Sequence, residues 1–399
     1  MNTRMIGRFI TIQLLSVAAF SAAWGEARIL DLEIGDPGRK TRQVTLQVDA
    51  IADTRREQII SPQTLIGRLA ATRAVLIAEE HTNIDHHRIQ LRVLELLYSN
   101  GHSIAIGLEM FPASDQNALD EWTAGTLSEP EFLEQVDWYG GWGYDWDYYR
   151  EILLFARTNG IPLVALNAPR ELITEVRTSG LAVVRQHRDA ELPPSVLPTT
   201  ADHRTLISNF FETDDPVHGA LPEEQMIALL EAQCTWDAVM AYAASRSLTE
   251  DPARTLVILA GTGHVAYGLG IARQIGQWLD GEVATIVPVA ADESTETVQA
   301  SLGDFIWGVP ATTDPAFPGL GVLTTPSDDG VMLIHVEPES PAELSGLQAG
   351  DVLARLRDQP VSGRRDLNRI VATLEWGDQV TAVVWRDGVE VDLEISLRR

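Results

Sequence analysis

Three features of the 399-residue sequence predict an α/β fold with a mostly parallel sheet flanked by helices, followed by a small β-rich domain. Short runs rich in Val, Ile and Leu recur without alternation, as strands buried on both faces require. Longer amphipathic stretches separate these runs, which is the pattern of strands alternating with helices. Beyond residue 317 the patterning changes to short runs in which apolar and polar residues alternate, the mark of half-buried strands.

Taken in order, the predicted strands of the larger domain are residues 74–78, 103–108, 162–166, 255–260 and 283–288. The predicted helices are residues 85–98, 114–122, 145–158, 170–179 and 222–245. In the first helix Ile89, Val93, Leu96 and Leu97 recur at helical spacing, with His86 on the same apolar face as a core histidine and His87 off it. Pro169 precedes the fourth helix, where proline in the first turn is tolerated. Gln233, Trp236, Asp237 and Met240 share one face of the last helix and read as packing with a polar edge. Residues 290–316, rich in Asp, Glu, Ser, Thr and Pro, are predicted to be a linker between a domain at 28–289 and a second at 317–399. In the latter, the runs 331–336 and 380–385, a turn at Asp387-Gly388 and a helix over 365–374 are expected.

Charge and cysteine content exclude several classes of function. With 57 acidic against 30 basic residues the net charge is −27, and no basic cluster interleaved with aromatics is present, so nucleic acid is not an expected partner. The single cysteine, Cys234, excludes an intramolecular disulfide framework and a thiolate zinc cluster. Residues 1–27 combine Arg4 and Arg8, an apolar run from Ile10 to Phe20 and an exit of small residues, the pattern of a secretory signal peptide. The run is too short for a membrane span, and no cysteine marks a lipid-anchor site. A periplasmic or secreted soluble protein is expected.

Chemistry-bearing residues collect at the ends of the predicted strands, where ligands of parallel α/β sheets sit. Glu79 and His81 follow the first strand, Glu109 ends the second, and His264 follows the strand ending at Ala260 and Gly261. If these strands are neighbours, Glu79, His81, Glu109 and His264 converge at one rim. Two imidazoles and two carboxylates suit a divalent metal such as Zn, Mn or Fe, or a histidine base steered by carboxylates. Residues 138–149 hold seven aromatics, including Tyr139 and Tyr144. They read either as a platform for a flat ligand such as a porphyrin, with tyrosine as an axial ligand, or as core packing with Asp145 capping the next helix. Asn167 and Arg170 flank Pro169 at a strand-to-helix turn, where an arginine fork suits a carboxylate or propionate, or a structural ion pair.

Two resemblances follow from these residues. Ser340-Pro341-Ala342, Gly346-Leu347 and Gly350-Asp351-Val352-Leu353 resemble the PDZ domain of exported bacterial proteins. The resemblance implies that Gly319-Leu320-Gly321-Val322 is the carboxylate-binding loop, with Val322 in place of the commoner aromatic. A partner's C-terminal peptide would then dock along Leu320, Gly321 and Val322 and against Leu367, Ile370 and Val371. In the larger domain, the series Ala78-Glu79-Glu80-His81 with His86 and His87, Leu108 to Pro112, Ala165 to Arg170, Gln233 to Asp237 and Gly261 to Val265 resembles the ChaN-like haem-binding uptake family, in a superfamily with the TIKI and TraB proteins. This resemblance implies haem or iron handling, with His81, Tyr139, Tyr144, Asn167, Arg170 and His264 as cofactor-binding residues. The TIKI relatives imply the alternative, a metal-dependent hydrolase or protease using Glu79, His81, Glu109 and His264. Of their two G-x-x-H motifs, Gly261 to His264 is intact, whereas Ala78 replaces glycine in the first. The expected partners are therefore haem or a small ligand and a protein C-terminus, with a homodimer as an open alternative to a monomer.

Overall fold

The computed structural model describes residues 29–210, 221–291, 296–311 and 315–398. The expected signal segment lies outside them. The chain divides into two compact units with the boundary between Ala316 and Phe317.

The larger unit contains β1 (Gln43–Leu46), β2 (Ile51–Asp53), β3 (Gln58–Ile60), β4 (Thr72–Glu79), β5 (Ile104–Pro112), β6 (Leu163–Asn167), β7 (Thr255–Gly261), β8 (Glu282–Ala291), β9 (Glu296–Gln299) and β10 (Phe305–Pro310). β1 and β9 form a separate antiparallel ribbon, and the other eight make one sheet in the order β3-β2-β10-β8-β4-β7-β5-β6. From β10 to β6 every pair is parallel, while β2 and β3 extend the edge antiparallel. Unbroken burial along β7 and nearly all of β4 explains why their sequences lack alternation.

The helices flanking this sheet include Ile84–Ser99, Gln116–Thr123, Arg150–Asn159, Arg170–Ser179 and Glu223–Glu250. Their ends follow local chemistry. Asn83 caps the first by accepting the N–H groups of Asp85 and His86, and Gly160, at φ 62°, terminates Arg150–Asn159. No described helix is long and apolar enough to cross a membrane.

The linker expected over residues 290–316 is corrected. β8 runs to Ala291, β9 pairs with β1, and β10 joins the main sheet between β8 and β2. The polar composition misled because Asp304 is a buried pin: its Oδ2 accepts the Thr285 N–H at 3.1 Å, and Oδ1 meets Arg55 Nε at 2.8 Å and Arg39 at 3.1 Å. Gly308 in β10 lies against the Gln47 carbonyl, which a Cβ would strike.

The C-terminal unit is a sheet of β11 (Val322–Ser327), β12 (Gly330–Val336), β13 (Val352–Leu356), β15 (Gln379–Arg386) and β16 (Val389–Ser396), antiparallel throughout, with β14 (Gln359–Pro360) off β13. Asp387 and Gly388, at φ 52° and 79°, make the two-residue turn between β15 and β16. The expected helix is Arg364–Val371. Leu320, Leu367 and Ile370 are members of this unit's apolar core, with Val322 and Val371 partly buried against it. Gly321, at φ 72°, backs onto Ser340 so closely that a Cβ would clash.

Candidate functional site

Because β4, β7, β5 and β6 are neighbours in the sheet, Glu79, Gly261, Glu109 and Asn167 come to one carboxyl-end rim. Glu79 ends β4 opposite Gly261, and its backbone carbonyl accepts the Thr262 hydroxyl at 3.0 Å. Glu109 sits where the β5–β6 register slips between Leu108 and Pro112, an irregularity that re-aims a strand. There Asn167 Nδ2 donates to the Glu109 carbonyl at 2.5 Å, and Asn167 Oδ1 accepts from Trp236 Nε1 at 2.5 Å.

Around Glu79 the protein supplies donors on every side. Oε1 accepts from Tyr149 OH at 2.7 Å and faces His81 Nδ1 at 2.8 Å. Oε2 accepts from Gln90 Nε2 at 2.7 Å and lies 3.6 Å from His87 Nδ1. Burial alone would raise the pKa of this carboxyl, but the His87 charge and the contacts to His81 and Gln90 override it and hold it at about 2.

The second carboxylate is organised differently. Glu109 Oε2 accepts the Gly261 N–H at 2.6 Å, and Oε1 lies 3.3 Å from His264 Nε2. On its other side, His264 Nδ1 meets Asp237 Oδ1 at 2.6 Å and Gln233 at 3.1 Å. Burial works to lower the pKa of His264, yet Glu109 and Asp237 dominate and push it up to about 10, so an imidazolium bridges two carboxylates.

His81 lies between these networks. A Cβ on Gly261 would be 3.0 Å from His81 Cε1, 3.3 Å from its Nε2 and 3.6 Å from Glu109 Oε2, so glycine makes room for the ring. With Nδ1 on Glu79, the ring keeps 19% of its side chain exposed, and no protein group among the described residues bonds to its Nε2. Trp142 and Tyr144 pack on it with ring centroids 4.8 and 4.9 Å away. A carboxylate holding one imidazole nitrogen while the other faces outward is the arrangement that orients a histidine as a metal donor.

Part of the aromatic stretch is core packing, the second of its two readings, and part of it lies against His81. Trp138, Trp146 and Tyr149 are buried, and the two tryptophans pack with Phe111, Trp122 and Phe132, while Trp142 and Tyr144 surround His81. Asp145 caps the short turn after it, accepting the Asp147 N–H. Tyr139 is half-buried, and burial, followed by the charges of Asp145, Asp147 and Glu129, raises its pKa to about 12. Arg170 is exposed at the start of its helix, with no ion pair to its guanidinium among the described residues.

Two readings change. His87, expected off the apolar face, is buried: its ring nitrogens face the Gln90 side-chain oxygen at 3.1 Å and the His81 carbonyl at 3.2 Å. Periodicity missed it because a polar network, not apolar packing, holds it inside. Asp237 and Gln233, read as a polar edge, are the partners of His264. Tyr149 and Gln90 had no signal beyond their places in an aromatic run and a helix. His86 is a core histidine as read, accepting the Glu80 N–H on Nδ1, with burial and the neighbouring His87 lowering its pKa to about 3. Among the described residues no group of three or more His, Cys, Asp or Glu is arranged to hold a metal ion, so the four-ligand alternative gains no support. The carboxylate oxygens of Glu79 and Glu109 are instead taken up by protein donors.

Comparisons with known proteins bear on both units. Curated relatives matched in part are probable periplasmic serine endoproteases DegP-like from Marinomonas sp. (strain MWYL1), 33% identical over 69 residues, and Rhizobium meliloti (strain 1021), 38% over 70. Each match covers 17% of this chain, and the chain spans 15% and 14% of those relatives' lengths. A solved structure described as cofacial heme binding to ChaN of Campylobacter jejuni aligns with a TM-score of 0.51 at 19% identity, covering 65% of this chain and 98% of that one, which is a likeness of fold. The PDZ domain model matches residues 318–397. The family model for haem-binding uptake, Tiki superfamily, ChaN matches residues 65–275, more than half of the chain, and the chain belongs to that family.

Proposed function

We propose that this chain is an exported haem-binding protein whose larger unit takes up haem as cargo at the rim around His81, and whose C-terminal unit docks a partner's C-terminal tail. The observation that carries the reading is His81: an imidazole held by Glu79 through Nδ1, with Nε2 open at the rim and the rings of Trp142 and Tyr144 beside it. A porphyrin needs an axial donor and apolar ring surface, and these residues fit that requirement. His81 would serve as donor, Tyr144 and Trp142 as stacking surface, and Arg170 as partner for a propionate. Tyr139 is a second candidate contact, at the acidic side of the aromatic stretch. Asn167 and His264, engaged at both polar ends, brace the rim. Export is supported by the basic start and the apolar run of the first 27 residues. Tail docking is supported by the PDZ match and by the edge of β11 beside Leu320, Gly321 and Val322, which no other strand among the described residues pairs.

The test is a haemin titration of the purified protein followed by absorption. A saturable Soret band at stoichiometric haemin, weakened in His81→Ala, is expected. An unchanged spectrum at that ratio overturns the haem reading.

A further inference from the structure

We infer that the docking edge of the C-terminal unit reads only the last four residues of a tail, because Pro326 ends its row of backbone donors. The inference rests on the tail-docking reading and sharpens it.

β11 is the outer strand of its sheet, paired among the described residues with β12 alone. In an antiparallel pair, opposite residues exchange either two backbone bonds or none. Leu333, opposite Thr324, donates its N–H to the Asp351 carbonyl and accepts the Gly350 N–H, each at 2.8 Å, both on the side away from β11. Thr324 therefore turns its own N–H and carbonyl to the open edge. The register slip between Leu323 and Thr324 adds its extra residue, Ile334, to β12, so alternation along β11 is unbroken and Val322 and Pro326 face the same way as Thr324. The Gly321 carbonyl agrees with this phase, accepting the Glu337 N–H at 2.8 Å on the β12 side.

The open edge thus offers three rungs, at Val322, Thr324 and Pro326. The first two carry a donor and an acceptor. At the third a ring carbon stands where the donor would be. A tail running antiparallel, with its last side chain against Val322 and Val371, places its third-from-last residue opposite Thr324 and its fifth-from-last opposite Pro326. The carbonyl of that fifth residue meets the proline ring and finds no N–H. The occupant is a free C-terminus with a small aliphatic last residue, recognised over four positions. The same proline blunts an otherwise open sheet edge.

Fluorescence anisotropy of the full chain with dye-labelled peptides tests this, using a decapeptide ending in Val-COOH and its truncations to eight, six, five, four and three residues. Affinity is expected to rise from three to four residues and then change less than about twofold, while Pro326→Val restores about a two- to tenfold gain for peptides of five or more. A gain above about threefold between four and eight residues in the unsubstituted protein overturns the four-residue limit with tail docking intact. Equal binding of the C-terminally amidated decapeptide, or no binding at any length, overturns tail docking itself.

Discussion

The Tyr149 hydroxyl donates a 2.7 Å hydrogen bond to Glu79 Oε1, joining residues 70 positions apart in the chain and tying the aromatic stretch to the end of β4. Glu79 is 1% exposed, so every donor it loses leaves part of a buried anion unsatisfied. Through Glu79 this bond also bears on His81, whose Nδ1 shares the same oxygen.

Tyr149→Phe removes that donor with little change in volume. A loss of about 1–3 kcal/mol in unfolding free energy is expected, read by urea denaturation. A variant as stable as the parent would show that Glu79 does not depend on this bond.

Acid stability reports on Glu79 itself. Its folded pKa, about 2, lies below the ordinary 4.5. A depressed carboxyl pKa stabilises the fold above the unfolded value, and that contribution disappears as pH falls through the folded one. About 3 kcal/mol is therefore expected to be lost between pH 4.5 and 2. Glu79→Gln should flatten this part of the stability–pH curve, and curves of equal slope would contradict the assignment.

His264 carries the opposite sign. Its folded pKa of about 10 exceeds the ordinary 6.5, so its stabilisation is complete below 6.5 and is lost as pH rises toward 10. Asp237→Asn removes one of the two carboxylates holding the imidazolium and should lower this pKa by about 1 to 3 units. Imidazole NMR titration of the variant and parent measures it, and an unmoved midpoint would exclude Asp237 as the anchor.

Gly261→Ala separates the site from the fold. The backbone there, at φ −56° and ψ 148°, accepts alanine, but the new Cβ would crowd His81 at 3.0 Å. Unfolding free energy within about 1 kcal/mol of the parent, with haemin affinity at least about tenfold weaker, is expected from denaturation and Soret titration. Full affinity would mean that His81 is not at the ligand.

What could be read locally was read well where burial leaves a local imprint. β4 and β7 lie within the sheet, so their unalternated Val, Ile and Leu announce them, and the helix Arg170–Ser179 has the predicted bounds. β10 went unread because the element that fixes it, Asp304, is charged and finds its partners in Arg39, Arg55 and Thr285. A buried polar pin and a solvated linker look alike in composition. His87 and Asp237 failed in the same way.

By itself the sequence determined the two units, the strands β4 to β8 with five of the helices that flank them, the family, and which side chains stand at strand ends, since these depend on residues near one another in the chain. Tertiary structure alone decided that Glu79 is bonded to Tyr149 and Gln90, that His264 bridges Glu109 and Asp237, and that His81 keeps an open nitrogen. The physical reason is the strand order β4-β7-β5-β6: hydrogen bonds act over about 3 Å, and only the sheet brings these distant residues within that range.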